Sequence, residues 1–174
     1  MISKSMIKWS PPQGDYLKAN ADGAYKVGAK HSGWGVIIRD NNGQFVAVKG
    51  HRVDDIMDAA MSELKAIMEA INMALELGIG SLVVESDAQL LVYALNRKEG
   101  DASAGAVWLQ ETKMLMASQF CHCKIQFVHR EANCAAHLLA QLGESLKDNS
   151  PMFWESSVPA CIAEIVMGDL PTVI

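Results

Sequence analysis

Long apolar runs are absent from this sequence of 174 residues. No stretch approaches the roughly 18 uninterrupted apolar residues of a transmembrane helix, so we expect no membrane span. The first residues, MISKSMIK, also lack the apolar core of a signal peptide. These absences predict a soluble, intracellular protein, nuclear or cytoplasmic, without a secretion signal.

Cysteine is scarce, with four residues that all lie late in the chain. Cys121 and Cys123 flank a histidine, but this C-x-C spacing differs from the C-x-x-C pairs of zinc sites and no second pair follows. The pattern favours buried or edge-strand thiols in a reducing compartment over a metal centre or a disulfide framework.

Basic residues are outnumbered, with 15 lysines and arginines against 20 acids and a net charge of -5. Such a balance disfavours strong, non-specific attraction to nucleic acid. However, five acids and one base follow Gly143, so residues 1–143 carry a net charge of only -1. A nearly neutral domain can still hold a local basic patch. Half of the residues are hydrophobic, which suffices for the core of one domain.

Proline and glycine divide the chain into three parts. Residues 1–14 are a lead-in that ends in the turn-forming sequence PPQG. Residues 15–147 hold the regular hydrophobic patterns and form the predicted domain. Residues 148–174 include Pro151 and Pro159 among polar residues and are expected to be a loosely attached tail.

The hydrophobic periodicity within residues 15–147 changes from strand to helix and back. The patterns predict strands at 15–25, 33–39, 44–51, 81–86 and 124–128, and helices at 58–77, 87–96, 107–118 and 131–147. A turn at Asp40-Asn41-Asn42-Gly43 makes the second and third strands antiparallel. The expected fold is α/β, with a five-stranded mixed sheet flanked by helices, three antiparallel strands preceding the parallel crossovers.

Three isolated acids stand where each has a structural and a chemical explanation. Asp22 ends the first strand, where an aspartate is most often a turn residue. Glu63 lies in the first helical turn, where the helix dipole favours it, but on the face that continues into apolar residues. Asp87 follows a buried strand and suits a helix N-cap, yet it also stands at the carboxyl end of that strand, where α/β sites gather.

Taken together, the three acids predict a metal site. A central strand, the first helix and the next parallel strand bring Asp22, Glu63 and Asp87 to one end of the sheet. Carboxylate oxygens suit hard divalent cations, so Mg²⁺ or Mn²⁺ is the expected cofactor. Two such ions suit the hydrolysis of phosphodiesters, because one activates water and the other stabilises the leaving oxygen.

Five short motifs resemble those of type 1 ribonuclease H domains, in particular the plant reverse-transcriptase-like branch. They are Lys18–Ala24, Gly33–Arg39, Ser62-Glu63-Leu64, Val84–Asp87 and Arg130–Asn133. Their order and spacing are similar over roughly residues 9–170. The resemblance implies a ribonuclease H-like fold and a monomer that cleaves the RNA strand of RNA–DNA hybrids.

The resemblance also implies residue roles. Asp22 would bridge two metal ions, Glu63 would bind the second ion near the RNA 2′-hydroxyl, and Asp87 would bind the ion that activates water. Gly23, Ala24 and the Gln89 side chain match positions that contact the minor groove of the hybrid.

One position departs from the family pattern. Four residues after Asn133, where the family carries a fourth catalytic acid, this chain has His137. A neutral imidazole is a poor ligand for Mg²⁺, so His137 is either a surface residue or an N–H donor beside the site. His129 is a candidate proton shuttle, and Glu131 a candidate replacement carboxylate.

Two other functions are compatible with these motifs. The substitution at His137 and the acidic balance favour a catalytically weakened or inactive domain that binds nucleic acid or a protein partner. A DEDD-type 3′–5′ exonuclease is disfavoured, because that group requires Asp-x-Glu in the first strand and Gly23-Ala24 follows Asp22 here.

Overall fold

The computed structural model describes residues 7–98 and 105–170. Six strands and five helices lie within these ranges, and a single 3₁₀ turn (Arg130–Ala132) precedes α4. Their order is β1 (Leu17–Tyr25), β2 (His31–Arg39), β3 (Phe45–Asp54), α1 (Ala59–Glu76), β4 (Ser81–Ser86), α2 (Gln89–Asn96), α3 (Ala106–Ser118), β5 (His122–Phe127), α4 (Cys134–Ser145), β6 (Met152–Trp154) and α5 (Ala160–Asp169). Residues 99–104 of the polar loop before α3 lie outside the described residues.

The strands form one mixed sheet in the order β5-β4-β1-β2-β3-β6. β1, β2, β3 and β6 pair antiparallel in that sequence, whereas β4 runs parallel to both β1 and β5. All five predicted strands are present, but the predicted number of strands was wrong because β6 adds a sixth. A strand of three residues is too short to show an alternating pattern in the sequence.

The turn between β2 and β3 fixes their antiparallel register. Asp40 accepts hydrogen bonds on Oδ1 from the backbone N–H groups of Asn42 and Gln44, at 2.9 and 2.8 Å. Gly43 has a φ of 77°, a conformation that glycine adopts without a steric cost. These local features confirm the turn predicted from the sequence.

The helices cover the two faces of the sheet unequally. On one face α1 lays Leu64, Ile67 and Ile71 against Ala19 and Ala21 of β1, with α2 and α3 beside it. On the other face, α4 and α5 cover the part of the sheet nearest β2 and β3. The residues buried there are Ile37, Val48, Ala135, Leu139, Ile162 and Val166.

Residues 152–169 pack on the domain, so this part of the predicted tail is not loosely attached. β6 pairs with β3, and α5 buries Ile162 and Val166 against α4 and the sheet. The two prolines that suggested a tail stand before β6 and at the N-cap of α5, where proline does not interrupt regular structure.

No helix within the described residues is long and apolar enough to cross a membrane. All four cysteines are free thiols. Cys123 lies in the edge strand β5, as the sequence predicted, but Cys121 and Cys161 are exposed and lie outside that strand.

Candidate active site

Three separate elements bring the acids to one end of the sheet. Asp22 lies in β1 and is fully buried, Glu63 follows the first turn of α1, and Asp87 directly follows β4. Glu63 thus lies beyond the first helical turn in which the sequence placed it. One carboxylate oxygen of each residue lies within 4.8 Å of the other two. The convergence that the sequence predicted for Asp22, Glu63 and Asp87 is therefore present.

Gly23 fixes the position of Glu63. Its N–H donates to Glu63 Oε2 at 3.0 Å, and α1 passes so close that a Cβ on Gly23 would lie 2.6 Å from the backbone nitrogen of Glu63. Only glycine permits this approach of helix and strand. The absence of a side chain at position 23 thus places the second carboxylate beside the first.

Asp87 is held by side chains and does not cap α2. The N-cap of that helix is Ala88 and no side chain caps it. Instead, Arg130 Nη1 donates to Asp87 Oδ2 at 2.9 Å, and Asn133 Nδ2 lies 3.5 Å from Asp87 Oδ1. The structure therefore favours the chemical explanation of this aspartate over the cap.

His137 lies in the site, on the α4 face of the sheet. Its Nδ1 is 2.8 Å from Asp22 Oδ2, so the ring contacts the most buried of the three acids. Arg130 Nη2 lies 2.8 Å from Nδ1 and 3.1 Å from Nε2 of the same ring. Of the two alternatives for His137, a hydrogen-bonding group beside the acids is the one observed.

The grouping of acids perturbs their protonation. Burial, and then the charges of Glu63 and Asp87, raise the pKa of Asp22 from 3.8 to about 9. Burial and the charge of Asp87 raise the pKa of Glu63 from 4.5 to about 7. Burial and the nearby Arg130 lower the pKa of His137, so its ring is neutral at physiological pH. A bound cation would favour the ionised forms of Asp22 and Glu63, because its charge opposes the causes that raise their pKa values.

Arg130 and Asn133 were not predicted as site residues, although both belong to the motif Arg130–Asn133 noted in the sequence. Asn133 is 1% exposed and donates to the Ala21 carbonyl at 3.0 Å, while it accepts from Asn20 at 3.1 Å. It therefore connects the start of α4 to β1, the strand that carries Asp22. The available signal was the motif itself, since both residues belong to the stretch Arg130–Asn133 noted in the sequence.

The remaining predicted positions divide into two groups. Gly23 and Ala24 are partly buried beside Asp22, and Gln89 is exposed in the first turn of α2. His129 is exposed and packs its ring edgewise on Phe127, with centroids 5.1 Å apart. Glu131 is also exposed and does not belong to the converging acids found among the described residues.

The site has the properties that a divalent cation requires. Its donors are carboxylate oxygens, which hard ions prefer. Asp22 Oδ1 is buried without a hydrogen-bond partner, and an orphaned carboxylate oxygen is costly unless a ligand meets it. These residues fit Mg²⁺ or Mn²⁺, which Asp22, Glu63 and Asp87 would hold.

Solved structures share this architecture. Ribonuclease H1 from Halobacterium salinarum superposes with a TM-score of 0.64 at 21% identity, over 74% of this chain and 96% of that one. The N-terminal ribonuclease H domain of a Mycobacterium tuberculosis protein gives 0.67 at 19% identity, over 75% and 94%. LC11-RNase H1 in complex with an RNA/DNA hybrid gives 0.65 at 16% identity, over 72% and 94%. At these identities the likeness establishes the fold.

Sequence comparison establishes the family. No curated protein sequence matches the chain. The family model described as reverse transcriptase-like matches residues 20–143, a span that runs from β1 to α4 and contains all three acids, Arg130 and His137. The chain therefore belongs to the reverse transcriptase-like family, and its fold is that of type 1 ribonuclease H domains.

Proposed function

We propose that this protein is an endonuclease that hydrolyses the RNA strand of RNA–DNA hybrids with Mg²⁺ or Mn²⁺, leaving a 3′-hydroxyl and a 5′-phosphate. The observation that carries the proposal is the convergence of Asp22, Glu63 and Asp87 within 4.8 Å around a buried, unpartnered oxygen. The fold supports it, because a neighbour with the same fold has been solved with an RNA/DNA hybrid bound.

Some side chains would bind the metal ion, and others hold those ligands in position. A bound divalent ion would supply a Lewis acid that activates water and offsets charge on the phosphate. Asp22 would hold that ion through its unpartnered Oδ1, and Gly23 keeps the Glu63 carboxylate in place. Arg130 and Asn133 do the same for Asp87. Because these contacts exist beforehand, the site needs little rearrangement to bind.

Recognition of the RNA strand belongs to the surface beside the acids. Gly23 and Ala24 present backbone groups next to Asp22, and Gln89 presents an exposed amide next to Asp87. An amide both donates and accepts, so it can read a 2′-hydroxyl, the group that distinguishes RNA from DNA. We propose that these three residues contact the minor groove.

Cleavage of a labelled hybrid tests the proposal. The folded protein should cut the RNA strand with Mn²⁺ or Mg²⁺ and should leave double-stranded DNA intact. Asp22→Asn or Glu63→Gln should lower the rate at least about a hundredfold, because even the loss of an outer-shell partner of a metal ligand costs about 10- to 100-fold. Glu76→Gln, on the same helix but paired with Lys49, should leave the rate unchanged. Absence of cleavage with either ion contradicts the enzymatic function.

A binding module of the same fold is the second candidate, and one observation favours it. The imidazole of His137 and the guanidinium of Arg130 contact the acids that would hold the metal. A binding module would slow the migration of a labelled hybrid in an electrophoretic mobility shift assay without cutting it. Asp22→Asn would then leave hybrid affinity unchanged, whereas an enzyme that needs the metal to seat its substrate would bind less tightly.

A further inference from the structure

A buried asparagine lies on the same strand face as the most buried acid of the site. Asn20 and Asp22 are two residues apart in β1, so their side chains project from the same side of the sheet. Asn20 is fully buried. The polar atoms of its amide must therefore find partners inside the protein, because an unpartnered buried polar group is costly.

The neighbours of Asn20 permit only one orientation of its amide. Arg39 Nη2 donates to Asn20 Oδ1 at 3.2 Å, and a guanidinium cannot accept a hydrogen bond. On the other side, Asn20 Nδ2 donates to Glu85 Oε2 at 2.9 Å. Glu85 is ion-paired with Lys18 at 2.8 Å, and an ionised carboxylate cannot donate. A flipped amide would set donor against donor at Arg39 and acceptor against acceptor at Glu85.

The fixed amide of Asn20 determines the orientation of a second amide. Its Nδ2 also donates to Asn133 Oδ1 at 3.1 Å, so the Nδ2 group of Asn133 is turned away from Asn20. That group donates to the Ala21 carbonyl at 3.0 Å and lies 3.5 Å from Asp87 Oδ1. Both acceptors adjoin the candidate metal site, since Ala21 precedes Asp22 and Asp87 is one of the three converging acids.

We propose that Asn20 is a positioning residue of the candidate metal site, which acts through Asn133 on Asp87 and on the backbone beside Asp22. The inference rests on the proposed function, because the acids that it concerns are the proposed metal ligands. Asn20 itself is not one of those ligands, and its effect on them is the direction of the Asn133 amide. Loss of an outer partner of a metal ligand typically lowers metal affinity about 10- to 100-fold.

Asn20→Leu removes the amide and keeps the shape and the neutral charge of the side chain. Asn133 then loses the group that orients its amide, so its N–H groups are no longer held towards the site. Calorimetric titration should give an Mn²⁺ Kd about tenfold higher than that of the wild type, a readout that does not rely on activity. Asn41→Leu, which removes an amide that donates to the Gly14 carbonyl at an exposed position, should keep the wild-type Kd.

A second control separates positioning from a loss of stability. Asp169 accepts from Arg39 at 2.8 Å, at the end of the guanidinium that does not contact Asn20. Asp169→Asn should lower the free energy of unfolding but leave the Mn²⁺ Kd unchanged, because it removes no hydrogen bond from Asn20. A Kd that rises in both variants in proportion to the lost stability would make the role of Asn20 structural and the inference wrong. If Asn20→Leu does not fold, Asn20→Ala removes the same amide with less crowding.

Two further measurements test the path through Asn133. Asn133→Ala should raise the Kd at least as much as Asn20→Leu, and the double variant should bind no more weakly than Asn133→Ala, because residues in one hydrogen-bond network are not additive. In nitrogen-15 spectra of the metal-free protein, the side-chain NH₂ signals of Asn133 should shift in Asn20→Leu and stay in place in Asp169→Asn. Additive losses of affinity, or unchanged signals in Asn20→Leu, would overturn the inference.

The outcomes distinguish this inference from the proposed function. Hybrid cleavage by the wild type, together with an unchanged Kd in Asn20→Leu, would reject the inference and keep the nuclease. A raised Kd in Asn20→Leu without cleavage by the wild type would keep the inference and reject the nuclease. No bound Mn²⁺ in the folded wild type would reject both.

Discussion

Asp22 is the residue whose surroundings most favour function over stability. It is fully buried with two other carboxylates nearby, and its Oδ1 has no hydrogen-bond partner. Burial of an acid in such a place raises the free energy of the folded state unless the acid is protonated or meets a cation. A bound cation would therefore offset the structural cost of this residue.

The stability of the metal-free protein should depend on pH through these acids. Asp22 and Glu63 have pKa values raised to about 9 and about 7, so the folded state binds protons more tightly than the unfolded state. The free energy of unfolding should therefore fall as the pH rises from about 4 through 7 to 9, by several kcal/mol in order of magnitude. Thermal unfolding in EDTA measures this trend.

Two comparisons separate the effect of Asp22 on the pH dependence of stability from the effects of other titrating groups. Asp22→Asn should unfold at a higher temperature than the wild type in EDTA, and the difference should grow between pH 5 and pH 9. Excess Mg²⁺ should raise the melting temperature of the wild type at pH 8 and leave that of Asp22→Asn unchanged. A difference independent of pH would show that Asp22 is ionised in the metal-free protein.

Residue identity alone predicted the acids but not their partners. Asp22, Glu63 and Asp87 could be found because their order along a strand, a helix and the next parallel strand predicts one shared site, although each acid alone has a common structural explanation. Arg130 could not, because an exposed arginine in a turn looks like any surface charge until its contacts are known. The role of Asp87 was ambiguous, because an aspartate directly after a strand can be a helix N-cap or a metal ligand. Only its contacts with Arg130 and Asn133 in the structure distinguish the two roles.

At the scale of elements, glycine sets the distance between α4 and the sheet. Gly33 and Gly35 of β2 face this helix, and a Cβ on Gly35 would lie 2.7 Å from the carbonyl carbon of Leu139. Gly143 of α4 completes the contact, because a Cβ there would lie 2.7 Å from the His51 carbonyl oxygen. The helix therefore rests directly on the backbone of the strands, which places His137 against Asp22.

A methyl group at position 35 should displace α4 and, with it, His137 beside the three acids. Gly35→Ala should lower the free energy of unfolding by about 1–3 kcal/mol, the usual range for overpacking, and should weaken Mn²⁺ binding. Urea unfolding and calorimetry measure the two effects. Gly168→Ala is the matched control, because nothing lies within 4 Å of a Cβ there and alanine favours the helix. If the two variants had the same free energy of unfolding and the same Mn²⁺ affinity, the contact between α4 and Gly35 would be loose enough to accept a methyl group.

The elements that the sequence predicted are those with a clear period. The hydrophobic stripe of α1 and the buried run of β4 have one dominant pattern each, and both lie within two residues of their expected bounds. α5 was missed because only Ile162 and Val166 face the core and two prolines precede them. One pair of apolar residues spaced four apart is too short a pattern to distinguish a packed helix from a polar tail.

At the scale of the whole molecule, both ends of the described chain clamp one buried arginine. Arg39 is 1% exposed, Trp9 stacks on its guanidinium at 3.6 Å, and Asp169 accepts from it at 2.8 Å. Arg39 also donates to Asn20, which contacts Asn133. The lead-in and α5 are thereby connected, through buried polar groups, to the strand that carries Asp22.

Removal of the C-terminal residues should therefore destabilise the domain. A chain that ends at Lys147 loses Ile162 and Val166, each worth about 1.5–3 kcal/mol of burial, and leaves the charge of Arg39 unpaired. Urea unfolding should show a drop of at least about 3 kcal/mol. Asp169→Asn should reproduce the part due to the ion pair, while Asp148→Asn at an exposed position should have no effect. An unchanged midpoint in the shortened chain would mean that residues 15–147 are stable alone, as the sequence suggested.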